Sequence, residues 1–244
     1  MTKKEITWNE ARIKKAFAKV VMRTWKGGMK GTDSWHIFKV MSEFVDGFER
    51  LNKIGPCVSL FGSARTPVDS KYYVLADEIA YKLTKSGYGV ITGGGPGIME
   101  AGNKGAQRAG GKSVGLNIHL PFEQHHNNFI DLDKIFSFKY FFVRKVMFIR
   151  YAQGFVVLPG GYGTLDELSE ALTLIQTQKI ARFPIVLVGS EYWKGLLDWF
   201  NTTMLNEETI SKEDLKLFHV VDTADEAVVI INKFYQKYLH KPNF

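Results

Sequence analysis

Three glycine-rich loops have the residue types and the spacing of an anion-binding site. Their sequences are FGSAR (61–65), TGGGPGIME (92–100) and PGGYGTLDE (159–167). Small residues let main-chain amides approach an anion closely, and a helix that follows the loop adds its positive end. One such loop could be a tight turn and nothing more, but three in corresponding places favour a common ligand. We therefore predict a phosphate site, and its candidate residues in the first two loops are Gly62, Ser63, Gly94 and Gly95.

Neither of the standard nucleotide fingerprints fits these loops. The Gly-x-Gly-x-x-Gly pattern fails because Gly95 and Gly97 are followed by Glu100 where a third glycine is needed. The Walker pattern fails because no lysine follows Gly163. The predicted ligand is thus a small molecule with a phosphate, bound in a different manner from NAD or ATP.

Two carboxylates, Asp166 and Glu167, belong to the start of the helix that follows the third loop. A phosphate carries about −1.5 to −2 charges at neutral pH, so they would repel it, and the helix dipole returns only about 0.3–1 kcal/mol. Thr164 and Glu167 also match the T-x-x-E capping box, in which the glutamate merely bonds back to the start of its helix. Because acidic residues are costly beside an anion, their presence favours a role for Glu167 in the reaction.

A compensating positive charge is available in YFFVRKVMFIRYA (140–152), an otherwise apolar helical pattern that contains Arg144, Lys145 and Arg150. An arginine in such a helix must reach solvent or bind an anion. Arg150 points about 120° away from Arg144 by helical geometry. We therefore interpret Arg150 as a partner in an ordinary salt bridge. For Arg144 we favour the phosphate site over a surface ion pair with a snorkelling stem.

The three loops are predicted to follow buried parallel strands. Five short apolar runs lack the alternation of a half-exposed strand; they are 57–61, 88–92, 112–118, 154–158 and 184–189. Helical patterns lie between or after them, at 70–86, 98–108, 140–153, 164–178, 192–205 and 224–238. This alternation predicts an α/β fold with a doubly wound, Rossmann-like parallel sheet. Ligands of such sheets bind beyond the carboxyl ends of the strands, where the three loops lie.

Residues 1–54 are predicted to form a helical extension to a single nucleotide-binding catalytic domain, 55–244. The extension begins with a basic amphipathic helix, which we expect to dock on its own or a sister subunit. Its apolar positions are Ile13, Phe17, Val20 and Val21. A second helix is predicted before Gly55-Pro56, and its apolar stripe consists of Ile37, Met41, Phe44, Val45 and Phe48.

Composition argues against several classes of function. The formal charge of +7 comes from residues 1–31, which hold nine Lys or Arg and two Glu, so the rest of the chain balances and offers no groove for a nucleic acid. The apolar runs are far shorter than the roughly 20 residues of a membrane helix. The single cysteine, Cys57, is expected to be a small buried hydrophobe in a cytoplasmic protein. The six histidines are scattered or adjacent in a loop and predict no metal site.

GGGPGIMEAGNKGA (93–106), RK (144–145) and PGGYGTLDE (159–167) occur in this order along the chain. Together they resemble the LOG (Lonely Guy) family of nucleoside 5′-monophosphate phosphoribohydrolases, which release cytokinin bases and are often mislabelled as lysine decarboxylases. The family signature is P-G-G-x-G-T-x-x-E with an upstream arginine, and Arg144 stands 23 residues before Glu167. The similarity covers about residues 55–215, and the longer N-terminal part looks like that of bacterial relatives.

The resemblance implies that Arg144 and Glu167 are the catalytic pair. It implies further that the nucleotide is bound by Glu123, Lys145, Gly161, Tyr162, Gly163, Thr164, Leu165, Asp166 and Thr173. The expected reaction splits AMP or an N6-modified AMP into free base and ribose 5-phosphate, in a homodimer or higher homo-oligomer and with no metal or redox cofactor. We expect Arg144 to keep Glu167 ionised, so that the carboxylate stabilises the positive charge that builds on the ribose.

Two other functions stay open. Proteins of LOG-like fold that carry molybdenum cofactor use similar glycine loops without hydrolysing a substrate, although the presence of both Arg144 and Glu167 favours the enzyme. A decarboxylase that uses pyridoxal phosphate needs a Schiff-base lysine on a mobile loop. Lys145 is instead predicted on a helix, beside Arg144, which disfavours that function.

Overall fold

The computed structural model describes residues 32–119, 126–237 and 243. The chain divides into two compact units, Met1–Lys39 and Val40–Phe244. The described residues of the first unit belong to helix α1 (Thr32–Leu51), which confirms the second predicted helix. The predicted basic amphipathic helix lies outside the described residues, and the predicted domain boundary after residue 54 stays a prediction.

Seven strands form one sheet in the described part of the second unit. They are β1 (Cys57–Phe61), β2 (Gly89–Thr92), β3 (Ser113–Ile118), β4 (Ile135–Phe138), β5 (Ala152–Val157), β6 (Ile185–Val188) and β7 (Phe218–Val221). Their order across the sheet is β4-β3-β2-β1-β5-β6-β7, and all neighbouring pairs are parallel. The direction of winding reverses between β1 and β5, as in other doubly wound sheets. The predicted α/β, Rossmann-like fold is confirmed.

Helices lie along both faces of this sheet. In the described residues they are α2 (Lys71–Lys85), α3 (Ile98–Arg108), α4 (Phe141–Tyr151), α5 (Tyr162–Gln176), α6 (Ser190–Trp199) and α7 (Ala224–Lys237). Successive residues of β5 enter two different apolar cores: Phe155 packs with side chains of α4 and α5, and Val156 packs with side chains of α2 and α3. This burial on both faces explains why the strands are continuous apolar runs. None of the described helices is long and apolar enough to cross a bilayer.

Cys57 is a buried residue of β1, as its sequence context predicts. None of its surface is exposed. Burial raises the pKa of its thiol to about 12, which keeps the sulfur protonated at neutral pH. The thiol therefore behaves as a small hydrophobic group of the core.

The strands β4 and β7 have no counterpart among the predicted elements. Both lie at the edges of the sheet, and both contain exposed residues, so neither is a continuous apolar run. Helix boundaries also differ from the prediction. Helix α4 stops at Tyr151 because β5 starts at the next residue, and α6 passes into a π-helical turn at Phe200–Met204.

Candidate active site

The glycine-rich loops after β1, β2 and β5 line one cavity of about 830 Å³. The loops after β1 and β5 lie side by side, because these two strands are neighbours where the winding of the sheet reverses. The amide of Ser63 donates to the carbonyl oxygen of Pro159 at 2.9 Å and joins the two loops. The predicted site residues that line the cavity are Gly62, Ser63, Gly95, Arg144, Gly161, Tyr162, Gly163, Thr164 and Glu167.

The loop after β2 is held by a buried polar network. The side-chain amide of Asn127 donates to the carbonyl oxygens of Gly94 and Gly95 at 3.1 and 3.0 Å. It also donates to Oδ1 of Asn103 at 3.0 Å, which in turn accepts from the hydroxyl of Thr92. Gly94 has a φ of +76°, which favours glycine, and it fixes the course of the loop without lining the cavity. Of the two predicted residues in this loop, only Gly95 reaches the cavity wall.

The first turn of α5 forms part of the cavity wall. Gly161 is the N-cap and has no side chain to bond the first amides of the helix. The amide of Thr164 donates to the carbonyl oxygen of Gly161 at 3.0 Å, while the two amides before it and the positive helix end can bind an anion. Thr164 is the third residue of α5, and it therefore does not occupy the capping position. The capping-box interpretation of Thr164 and Glu167 is wrong, because the helix begins earlier than that interpretation requires.

Glu167 lies in the second turn of α5 and is buried, with 4% of its surface exposed. Its Oε2 atom has no hydrogen-bond partner among the described residues. Burial raises the pKa of the carboxyl to about 7, and the charges of Arg144 and Lys145 offset that effect only in part. Arg144 thus favours the ionised form of Glu167, as expected, but burial has the larger effect on the pKa.

Arg144 reaches the same cavity from α4. Its guanidinium carbon lies 5.3 Å from the ring centre of Phe141 and 5.6 Å from that of Phe148, so aromatic faces stabilise a buried cation. Burial lowers the pKa of Arg144, and the charge of Glu167 raises it. Its Nε atom is buried and has no hydrogen-bond partner in the described part of the chain. A polar ligand between Arg144 and Glu167 could satisfy an atom on each of them.

Lys145 and Asp166 are predicted site residues that bond to each other beside the cavity. The Nζ atom of Lys145 lies 2.8 Å from a carboxylate oxygen of Asp166 and 2.9 Å from one of Glu170. Although partial burial acts to lower the pKa of Lys145, its bonds to these two carboxylates raise it. These contacts link α4 to α5, and neither Lys145 nor Asp166 lines the cavity.

Two further predicted residues, Leu165 and Thr173, do not line the cavity, and a third cannot be placed relative to it. Leu165 packs against the apolar core. Thr173 lines a second, smaller cavity beside Trp199, and its hydroxyl donates to the carbonyl oxygen of Ser169 at 2.8 Å. Glu123 lies outside the described residues.

Sequence reasoning did not select several side chains that line the cavity. Arg65 is the last residue of the first loop and adds a cation, while Phe141 and Phe148 form an apolar wall beside Arg144. Tyr192 comes from α6, which carries none of the glycine-rich loops. Arg65 could have been selected from the sequence, because it is a basic residue within a glycine-rich loop. No local pattern indicates Tyr192.

Comparison with known proteins gives both a family and a set of relatives. The family described as possible lysine decarboxylase matches residues 99–231, more than half of the chain. A cytokinin riboside 5′-monophosphate phosphoribohydrolase of rice (Oryza sativa subsp. japonica), LOG, is 30% identical over 95 residues, which is 39% of either chain. The Arabidopsis thaliana enzyme of the same name, LOG4, is 33% identical over 92 residues, 37% of this chain and 42% of the relative. The aligned region thus spans about two fifths of these relatives.

Solved structures share the fold over a larger part of the chain. The molybdenum cofactor carrier protein of Chlamydomonas reinhardtii superimposes with a TM-score of 0.55 at 22% identity, over 75% of this chain and 99% of the carrier. A structural-genomics target, TM1055, gives a TM-score of 0.54 at 25% identity, over 73% of this chain and 99% of the other. At 22% identity the carrier shows a common fold and no more.

Proposed function

Because the chain belongs to the LOG family, described as possible lysine decarboxylases, we propose that it is a nucleoside 5′-monophosphate phosphoribohydrolase. The observation that carries the proposal is the placement of Glu167. It is a buried carboxyl with an unpaired oxygen, in a cavity walled by glycine loops and faced by Arg144. The curated plant relatives are named as enzymes of this activity, which supports the same conclusion. The substrate we expect is AMP or an N6-modified AMP.

The glycine loops and the start of α5 would hold the 5′-phosphate. Main-chain amides bind phosphate oxygens without the bulk of a side chain, and the helix end adds a favourable potential. Arg65 at the cavity wall supplies a positive charge that partly neutralises the dianion. Binding energy from this group, remote from the bond that breaks, can be used to hold the ribose against Glu167.

Glu167 would stabilise the transition state at the ribose. As the bond between C1′ and the base nitrogen breaks, its electron pair leaves with the base and positive charge develops on the sugar. An ionised carboxylate in a buried site stabilises that charge strongly, because little solvent screens it. Water then supplies a hydroxyl to C1′, and its proton is passed on so that the base leaves in neutral form. The products are the free base and ribose 5-phosphate.

Arg144 would favour the ionised form of Glu167 and would orient the substrate. Its positive charge already lowers the pKa of Glu167, against the larger effect of burial. Its unpaired Nε atom can donate to a ribose or phosphate oxygen. Lys145 is a poor candidate for Schiff-base chemistry, because its two ion pairs raise its pKa and a Schiff base requires a neutral amine.

A carrier of molybdenum cofactor is the second candidate, because the algal carrier has the same fold. The two candidate functions predict different bound molecules in the purified protein and different effects on added nucleotides. A carrier would be expected to hold a pterin chromophore and to leave nucleotides intact. The enzyme would release a base.

The proposal is tested by incubating the protein with a panel of nucleoside monophosphates and measuring liberated base by chromatography. We expect release of adenine or an N6-modified adenine from the matching monophosphate. Glu167→Gln should still bind AMP but lose at least about 100-fold in kcat, since it keeps the shape and removes the charge. A Gln variant with the wild-type rate would rule out the role of Glu167. Wild-type protein inactive on every monophosphate would rule out the function.

A further inference from the structure

Tyr192 is a cavity residue that the proposed mechanism does not use. It is the third residue of α6, and its hydroxyl donates to the carbonyl oxygen of Gly160 at 2.7 Å. Its ring stacks edge-on against Trp193, with ring centres 5.0 Å apart. Trp193 is buried, and its Nε1 donates to the carbonyl oxygen of Val188 at 3.1 Å. The tyrosine hydroxyl therefore projects from a firmly supported helix.

The start of α6 is also anchored to the edge of the sheet. The amide and the hydroxyl of Ser190 donate to the carboxylate of Asp222 at 2.8 and 2.7 Å. Gly189 has a φ of +97°, and a Cβ there would lie 2.8 Å from the ring of Tyr72. With α6 fixed at this end, the bond from Tyr192 holds the glycine loop to a rigid part of the fold.

Gly160 is enclosed from its other side by Thr164. A Cβ at Gly160 would lie 2.1 Å from the hydroxyl oxygen of Thr164, so a glycine is required for this approach. The preceding carbonyl, that of Pro159, accepts from the amide of Ser63 at 2.9 Å. Two successive carbonyl groups of the loop are thus held by partners outside it.

Fixing the carbonyl of Gly160 also fixes the amide of Gly161. The two groups belong to one planar peptide and point in opposite directions. Because glycines stand on both sides of this peptide, it has an unusually low barrier to reorientation once its carbonyl is released. A rotated peptide would turn an oxygen toward a ligand phosphate in place of an N–H donor.

We propose that Tyr192 is a positioning residue for phosphate binding, acting through the Gly160–Gly161 peptide. It sets the direction of a main-chain amide and does not contact the reacting atoms. The inference rests on the proposed function only for the identity of the ligand, a 5′-phosphate. It adds a determinant of affinity on α6, outside the glycine loops and outside the helices that carry Arg144 and Glu167.

The test compares Tyr192→Phe with Tyr81→Phe, a matched loss of a hydroxyl at a residue of α2 that does not line the cavity. In Tyr192→Phe we expect KM for AMP to rise about tenfold, as for one lost hydrogen bond to a charged ligand, with kcat within about twofold of wild type. Inhibition by ribose 5-phosphate should weaken by the same factor, and inhibition by adenine should not change. Tyr81→Phe should match wild type in all three. Equal loss of inhibition by adenine and ribose 5-phosphate, or no change in KM, would overturn the proposal.

Calorimetry with ribose 5-phosphate separates this inference from the proposed function. If the wild type hydrolyses no nucleotide but binds ribose 5-phosphate about tenfold more tightly than Tyr192→Phe does, the function is wrong and the inference holds. If the wild type hydrolyses AMP and both proteins bind ribose 5-phosphate equally, the function holds and the inference is wrong. Wild-type protein that binds no ribose 5-phosphate would overturn the inference as well.

Discussion

The carboxyl of Glu167 is subject to two opposed effects. Burial favours its neutral form and is the larger one, while the positive charges of Arg144 and Lys145 favour the ionised form. A phosphate in the cavity would add negative charge and favour the neutral form further. Positive charge that develops on a ribose favours the ionised form of the carboxyl instead. Glu167 is therefore placed to interact more strongly with the transition state than with the ground state.

At the residue scale, this balance predicts how activity depends on pH. The pKa of Glu167 is about 7, and the ionised form is the active one in the proposed mechanism. Below that pH most of the carboxyl is protonated, so kcat/KM should fall tenfold per unit of pH on the acid side and level off above pH 7 to 8. The measurement is kcat/KM for base release between pH 5 and 9. A rate that increases as the pH falls below 7 would instead make Glu167 a general acid.

At the element scale, helix α4 is held at both ends by residues distant in sequence. At its start, the carboxylate of Glu43 in α1 accepts from the amides of Lys139 and Tyr140 at 2.9 and 3.2 Å. Tyr140 is the N-cap and bonds no amide with its own side chain. At its end, the side chain of Asn243 donates to the carbonyl oxygens of Ile149 and Ala152. These bonds supply the caps that the helix lacks in its own sequence.

Removal of the cap at the start of α4 should destabilise the protein. Glu43→Ala leaves two amides without an acceptor and removes a negative charge from the positive helix end, so we expect a loss of about 1–2 kcal/mol. The measurement is urea denaturation at neutral pH. Glu49→Ala, at an exposed position of the same helix, is the control and should change stability by less than about 0.5 kcal/mol. Equal stability of the two variants would contradict the capping role.

At the scale of the whole molecule, one exposed apolar row indicates self-association. Met41 and Val45 on α1 have 54% and 62% of their surface exposed, and Phe48 follows on the same face. Phe142, on α4, is half exposed as well. Scattered apolar residues need no partner, but a continuous row on one helix face is typical of an interface. We therefore expect the protein to form a homodimer or a larger homo-oligomer.

Light scattering coupled to gel filtration tests that expectation. The wild type should have at least twice the monomer mass of 27.7 kDa. The double variant Met41→Lys, Val45→Glu places charges in the row, and it should shift the mass toward that of the monomer because burying unpaired charges is costly. Glu49→Gln, which alters a polar exposed position of α1, should keep the wild-type mass. A monomeric wild type would contradict the prediction.

The strands buried on both faces could be predicted from the sequence, whereas the edge strands could not, and the reason is physical. Strands buried on both faces, such as β1 and β6, carry a local signal, since nearly all of their residues are apolar. The edge strands β4 and β7 carry exposed residues and gave no such signal. The start of α5 was placed two residues late, because Thr164 has the side chain of a cap and Gly161, the actual cap, does not.

The amino-acid sequence by itself determined the α/β class and the three glycine loops, because these follow from local period and composition. The pairing of Arg144 with Glu167 came from the resemblance to the LOG family. Tertiary structure alone decided the ionisation of Glu167, since burial is a property of the packed chain. It also decided the cap that Glu43 provides to α4 and the bond from Tyr192 to Gly160, which join residues 97 and 32 positions apart. No local pattern encodes such pairs, since only the folded chain brings them within hydrogen-bonding distance.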